Sequence, residues 1–369
     1  MKVGVSITRV VETPDVEATV ARLEQAGVDS VWFPDHLLGY YHPEIWNALP
    51  CAQPAAGASP TAQRFDADAY LDPFCLTASL ARQTKLTLGT CVTDGTRRRA
   101  ADLLRSMLTL NQTVPGGFML GIGAGEFMSL NPFGYDCTSL LNNLETTLHE
   151  LRALIDTGHM PDGSGRVGFN IGRPQVWVAG GAPRSLKMAG RYGDAWFHLS
   201  NSADIFRQQY DVVCAAAKAA GRAAPTPALV PLAVLGESRE QVVDYMQRWP
   251  GSKSTALMLP ATVWDMYGIA HPGGPDCKGV LNMRPHDMDP LVTLEALRKV
   301  PMEMLELFLL LGNADEIAAK LQPLVEAGIH DIVFTDVTAT IFPPDEANEQ
   351  LDQYGRMATL LRGMAIGLA

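Results

Sequence analysis

Short apolar runs recur along the chain, and most are followed by a stretch whose apolar positions repeat every three to four residues. The run 2–7 (KVGVSI) predicts a first strand, and 16–26 a helix with Val16, Val20 and Leu23 on one stripe and Gly27 as its stop. A second strand is expected over 30–34 (SVWFP), a helix over 73–82, a third strand over 85–90 (KLTLGT), and a helix over 101–111 that Pro115 and Gly116 end. The fourth strand, 118–122, precedes a helix over 142–156 that turns Leu144, Leu148, Leu151 and Ile155 inward. A fifth strand over 175–179 leads into a helix with Pro183 in its first turn. Strands over 195–199 and 228–235 alternate with helices over 203–220 and 238–249. Residues 250–301 break the rhythm with the run HPGGPD (271–276) and helical pieces such as 291–300. A helix over 314–327, an eighth strand over 331–335 and a helix over 346–364 restore it.

Eight strands separated by helices predict an α/β fold, a single (β/α)8 TIM barrel, because the eighth strand can pair with the first. A doubly wound open sheet would want a glycine fingerprint after strand one, where SITRVVETP offers none. Residues 1–369 are thus expected to form one barrel domain with insertions at 39–72 and 250–301. The first insertion is rich in proline, alanine and aromatics (Tyr40, Tyr41, Trp46), and its length suits a lid over the mouth.

With 47% hydrophobic and 19% charged residues the chain can bury a large core. A net charge of −11 argues against a nucleic-acid groove, which needs clustered cations. The one cationic cluster, Arg97, Arg98 and Arg99, reads either as a solvated turn or as a receiver for an anionic ligand. Six cysteines without a CxxC pair and eight histidines without HxH or HExxH spacing make no metal site. No charged-then-apolar leader and no apolar run approaching 18 residues is visible, so a cytoplasmic protein without a transmembrane segment is expected.

The chemistry gathers at strand ends. Phe118 to Glu126 (FMLGIGAGE) is a buried-type strand that breaks into Gly123, Ala124 and Gly125, which let a ligand approach the backbone, and ends on an acid. Strand two ends on Asp35 and His36. In a barrel the carboxyl ends of the strands form the active face, so Asp35, His36, Cys91, Thr93, Glu126, Gly180 and Gly181 converge there. His36 could instead be a capping histidine, with Asp35 orienting its ring. Gly180, Gly181 and the helix starting near Pro183 offer free backbone N–H groups to a phosphate, although a plain strand-to-helix turn also uses glycine.

The succession SVWFPDH, LGTCVTDGT, LGIGAGE and VWVAGGAPRSLKMAGRYGDAW resembles the bacterial luciferase-like superfamily, specifically its coenzyme F420-dependent oxidoreductases. The resemblance covers nearly the whole chain. It implies that Asp35 helps hold the deazaflavin, that His36 faces the substrate, and that Glu126 is the family's acid after strand four. It further implies a cis bond between Cys91 and Val92 behind the ring, with Thr93, Ala124 and Gly125 alongside, and a phosphate turn at Gly180, Gly181 and Ala182. Tyr40 stands where some members have tryptophan, and Ser129, a further cofactor contact, where some have asparagine. LGTCVTDGTRR, LGIGAGEFMSLNPFGY, HPGG and the later KVP are similar to phthiodiolone dimycocerosate ketoreductases, which implies a lipophilic ketone as substrate. The expected enzyme is a homodimer that passes hydride from the deazaflavin to a carbonyl, with His36 as proton donor and Glu126 as relay or holder of the ring, roles that can be exchanged. Two other readings stand beside it: an FMN-dependent monooxygenase on the same barrel, and a non-catalytic flavin-binding barrel.

Overall fold

The computed structural model describes residues 1–8, 13–54, 65–168 and 173–367. Its strands are β1 (Lys2–Ile7), β2 (Ser30–Phe33), β3 (Thr87–Asp94), β4 (Phe118–Gly123), β5 (Gln175–Ala179), β6 (Ala195–His198), β7 (Thr226–Leu229), β8 (Leu232–Leu235), β9 (Leu309–Gly312) and β10 (Asp331–Asp336). Eight of them close a parallel ring in the order β1 to β7 and then β10, which pairs back onto β1 from Lys2 opposite Asp331 to Ile7 opposite Asp336. This is the (β/α)8 barrel that the alternation of strand and helix patterns predicts.

Two strand expectations need correction. The seventh strand, expected as one run over 228–235, is two. Pro231 has no N–H to donate and falls between β7 and β8. β7 pairs with the start of β10, whereas β8 pairs with Thr335 and Asp336 at its end and takes β9 on its other side. β9 itself (LLLG) lies in a stretch to which the periodicity assigned no element. The third strand, expected over 85–90, runs on to Asp94 through a register shift between Thr90 and Thr93, so Cys91, Val92 and Thr93 belong to the sheet.

The barrel interior is filled by Trp32, Trp177 and Phe197, whose ring centroids lie 5.1 to 5.3 Å apart. Room for them comes from small neighbours: a Cβ on Gly89 would stand 2.5 Å from the Trp32 ring. Outside the ring, the helices bury the stripes the periodicity marks, among them Leu144, Leu148, Leu151 and Ile155 on Leu140–Thr157. Residues 250–301 form short helical turns and the helix Pro290–Lys299, with Leu257, Trp264 and Leu297 buried in a second core together with Leu309 and Leu311 of β9. In the 39–72 stretch, Tyr41, Trp46, Leu49, Cys51 and Ala52 pack together, and residues 55–64 of the expected lid lie outside the described residues. Among the described residues no helix is long and apolar enough to cross a membrane.

Candidate active site

The neighbours Asp35 and His36 follow β2 and part company there. Asp35 is buried, and its carboxylate accepts a hydrogen bond from Thr93 Oγ1 at 2.6 Å, with Arg97 Nη2 at 3.2 Å and Arg98 Nε at 3.5 Å. Arg97 also donates to the Asp35 carbonyl at 2.5 Å and to Asp94 Oδ2 at 2.5 Å, while Arg98 reaches Asp72 at 2.6 Å. Asp94 ends β3 and folds the next turn onto itself, accepting from the N–H groups of Thr96 and Arg97 at 2.8 Å each. Arg97 and Arg98 are therefore not a solvated turn. They fasten the end of β2 to the end of β3, and only Arg99 of the three is exposed.

His36 turns toward the mouth. Its Nδ1 lies 3.3 Å from Glu126 Oε2, and the Tyr40 hydroxyl donates to both Glu126 oxygens at 2.7 and 2.8 Å while standing 3.5 Å from His36 Nε2. Rings of Tyr40 and Tyr70 flank the imidazole with centroids 5.2 and 5.5 Å away. Burial pushes Glu126 up, but the His36 imidazole and the hydrogen bonds from His36 and Tyr40 outweigh it and hold the carboxyl below the ordinary glutamate value. Burial and the Glu126 charge raise both tyrosines, so their hydroxyls keep their protons. Glu126 reaches this place because Gly125 turns the chain with φ near +88°, and a Cβ there would come within 2.7 Å of Leu130 and 3.0 Å of Asp94.

Beside this group lies an apolar shelf. The Cys91–Val92 peptide bond is cis, as the resemblance implies, and the two side chains pack with Ala179 on the Trp32, Trp177 and Phe197 cluster. Burial pushes the Cys91 thiol up to about 12, so it is a neutral part of that surface. Ala124 and Gly125 carry the chain from β4 to Glu126. Ser129 is buried and accepts from the Leu37 N–H at 2.8 Å, which ties the His36 loop to the turn after Glu126. Next along the rim, Gly180, Gly181 and Ala182 lead from β5 into the helix Pro183–Tyr192. The carbonyls of Gly180 and Gly181 accept from Trp196 Nε1 at 2.9 Å and Gln209 Nε2 at 3.0 Å. Ala182 gives this helix no side-chain cap, so N–H groups of its first turn stay open to an anion. A flat ring over the shelf with an anionic tail at this helix start fits the residues present.

Sequence reasoning missed three parts of this picture. Tyr70 closes the far side of His36, with only its place two residues before the helix cap Asp72 as a signal. Asp68 accepts from Gly39 N–H at 2.7 Å and pairs with His286 Nε2 at 2.9 Å, joining the 39–72 and 250–301 segments. His198, at the end of β6, is fully buried between Trp196 and Phe206, and burial lowers it to about 4.

Residues 1–331 match the luciferase-like monooxygenase family. The chain belongs to that family. It is 30% identical over 347 residues, 88% of each chain, to the phthiodiolone/phenolphthiodiolone dimycocerosates ketoreductase of Mycobacterium tuberculosis. A 5,10-methylenetetrahydromethanopterin reductase of Methanolobus tindarius is 22% identical over 330 residues, 84% of this chain and 86% of that one. Among solved structures, an F420-dependent secondary alcohol dehydrogenase in complex with an F420-acetone adduct superposes with a TM-score of 0.70 at 18% identity, covering 98% of this chain and all of the other, and shares its fold. The luciferase-like family thus contributes the barrel, and its ketoreductase relatives are homologues of this chain.

Proposed function

We propose that this luciferase-like protein is a coenzyme F420-dependent oxidoreductase that reduces a lipophilic ketone to its secondary alcohol. The observation that carries the reading is the triangle of His36, Glu126 and Tyr40 beside the Cys91–Val92 shelf, a proton source next to a surface for a flat ring. Homology to ketoreductases supports the carbonyl. Support for a lipophilic substrate comes from the same homology, to enzymes named for phthiodiolone dimycocerosates. The chain is read as one barrel domain with 39–72 and 250–301 as insertions.

Bound coenzyme F420 supplies a hydride to the carbonyl carbon. Asp35, fixed by Thr93, Arg97 and Arg98, sets the backbone from which His36 projects. The open N–H groups after Ala182 would hold the cofactor's phosphate, and Ser129, Thr93, Ala124 and Gly125 would belong to the cofactor's site. Glu126 is ionised at neutral pH and holds His36 through Nδ1. His36 gives its proton to the carbonyl oxygen as negative charge develops there, and regains one from solvent. The product carbon has then gained hydrogen with its electron pair, and the oxygen a proton.

Titrating the pure protein with F420 and with FMN, followed by absorbance and fluorescence, tests the reading. F420 is expected to bind the more tightly, and its reduced form to be oxidised in a single turnover with a long-chain ketone. Tighter FMN binding with no turnover of reduced F420 would replace this function by a monooxygenase.

A further inference from the structure

Glu126 and His36 are both able to carry the proton that a ketone oxygen needs, and the side chain between them decides the assignment. We infer that Tyr40 is a positioning residue that fixes Glu126 as the ionised partner and thereby makes His36 the donor. This rests on the proposed reductase.

The Tyr40 oxygen is nearly equidistant from the two carboxylate oxygens, at 2.7 and 2.8 Å. Such a placement suits one O–H aimed between two oxygens that share a negative charge. Tyr40 has a single hydrogen, and this geometry commits it to Glu126. His36 Nε2 stands 3.5 Å from the Tyr40 oxygen, at the limit of a hydrogen bond, so this nitrogen is free to turn its hydrogen to a substrate oxygen. Nδ1 is held by Glu126 at 3.3 Å. The imidazole thus has one nitrogen anchored and the other available.

The groups facing Glu126 are His36 after β2, and Tyr40 and Tyr70 from the 39–72 stretch. Among the described residues the first two touch it. Tyr70 adds burial and sits against the His36 ring, so Tyr40 is the neutral donor on which the ionised form depends. Tyr40 is also where this chain departs from members carrying tryptophan, whose larger ring has no hydroxyl to place between two oxygens.

The variant is Tyr40→Phe, which keeps the ring that packs on His36 and removes the hydroxyl. In cofactor-free protein labelled with carbon-13 at glutamate carboxyls, the Glu126 resonance, assigned by its loss in Glu126→Gln, is expected to titrate at higher pH in Tyr40→Phe than in the parent. Single-turnover ketone reduction is expected to fall about tenfold, the scale of one hydrogen bond to a charged group. Its acid limb moves upward, F420 affinity stays within about twofold, and adding Tyr40→Phe to Glu126→Gln costs less than about twofold more. An unchanged Glu126 titration overturns the inference whether or not ketones are reduced. A full tenfold further loss in the double variant overturns it as well. If the parent reduces no ketone but the titration shifts, the placement of Tyr40 stands and the proposed function falls.

Discussion

The two ends of this barrel both carry buried or half-buried acids, but they use them differently. At the end where the strands begin, Asp29 accepts from the Val3 N–H at 2.7 Å and from Arg362 at 2.7 Å. Asp194 accepts from the Val176 N–H at 2.9 Å, from Arg152 at 2.8 Å and from Arg222 at 3.2 Å, and Asp331 accepts from the Lys2 N–H at 3.1 Å and pairs with His330 Nδ1 at 2.8 Å. Each ties the first residues of one strand to the next. At the opposite end, among the described residues, Glu126 meets the His36 imidazole and the Tyr40 hydroxyl. Acids whose partners are backbone N–H groups and arginines, such as Asp29 and Asp194, hold strands together. One that meets an imidazole at the carboxyl ends of the strands lies where barrels keep their chemistry.

Arg97 tests the comparison hardest, because it sits at the reactive end yet is built like the other. Its side chain is 9% exposed and bridges Asp35 and Asp94. Arg97→Gln is expected to cost about 3 kcal/mol in urea denaturation, since it leaves two buried carboxylates short of a cation. It is also expected to slow turnover, because the Asp35 carbonyl that carries His36 loses its anchor.

Next in size, His36→Ala and Glu126→Gln should each slow single-turnover ketone reduction about 10²-fold or more, the scale of a lost general acid and its partner. Denaturation midpoints and F420 affinity are expected to stay close to the parent's. Loss of cofactor binding in both variants would turn them from proton-handling residues into cofactor holders.

Asp194→Ala is the counterpart at the strand-starting end. A cost of about 2 kcal/mol is expected in the same denaturation assay, less than for a fully buried pair because the carboxylate is partly exposed. Turnover per folded molecule should match the parent. A rate loss without a stability loss would contradict the division between the ends.

The smallest effect concerns the contact between the 39–72 and 250–301 segments. The hydrogen bond to Asp68 raises the His286 imidazole above its ordinary value, with Asp287 and Asp66 adding to it against the cost of burial. A group raised on folding stabilises below its unfolded value, and the gain fades as pH rises through the folded one. Stability of the parent relative to His286→Gln should therefore shrink by about 0.5 kcal/mol as pH climbs from just below the ordinary histidine range to well above it. A difference that grows with pH would mean that the pair does not form.

Much of this was legible in the order of residues. Strand periodicity put Asp35, His36 and Glu126 at strand ends before any fold was known, because a parallel barrel buries its strands as continuous apolar runs and leaves polar residues only where they stop. Partner choice was not legible. Tyr40 and Glu126 are 86 residues apart, and nothing local says that a phenol rather than an arginine meets the acid. Arg97 and Arg98 read as a surface turn or a receiver for an anion because the burial of a charge depends on carboxylates brought in from elsewhere in the chain. Pro231 split a strand that hydrophobicity alone runs together.

Reduced F420 carrying deuterium at C5, mixed with the protein and a long-chain ketone under anaerobic conditions, tests the proposed function most directly. The account predicts one deuterium on the carbinol carbon of the alcohol for each deazaflavin oxidised, and about a hundredfold slower transfer in His36→Ala. An alcohol without deuterium, or turnover that requires FMN and oxygen, would contradict it.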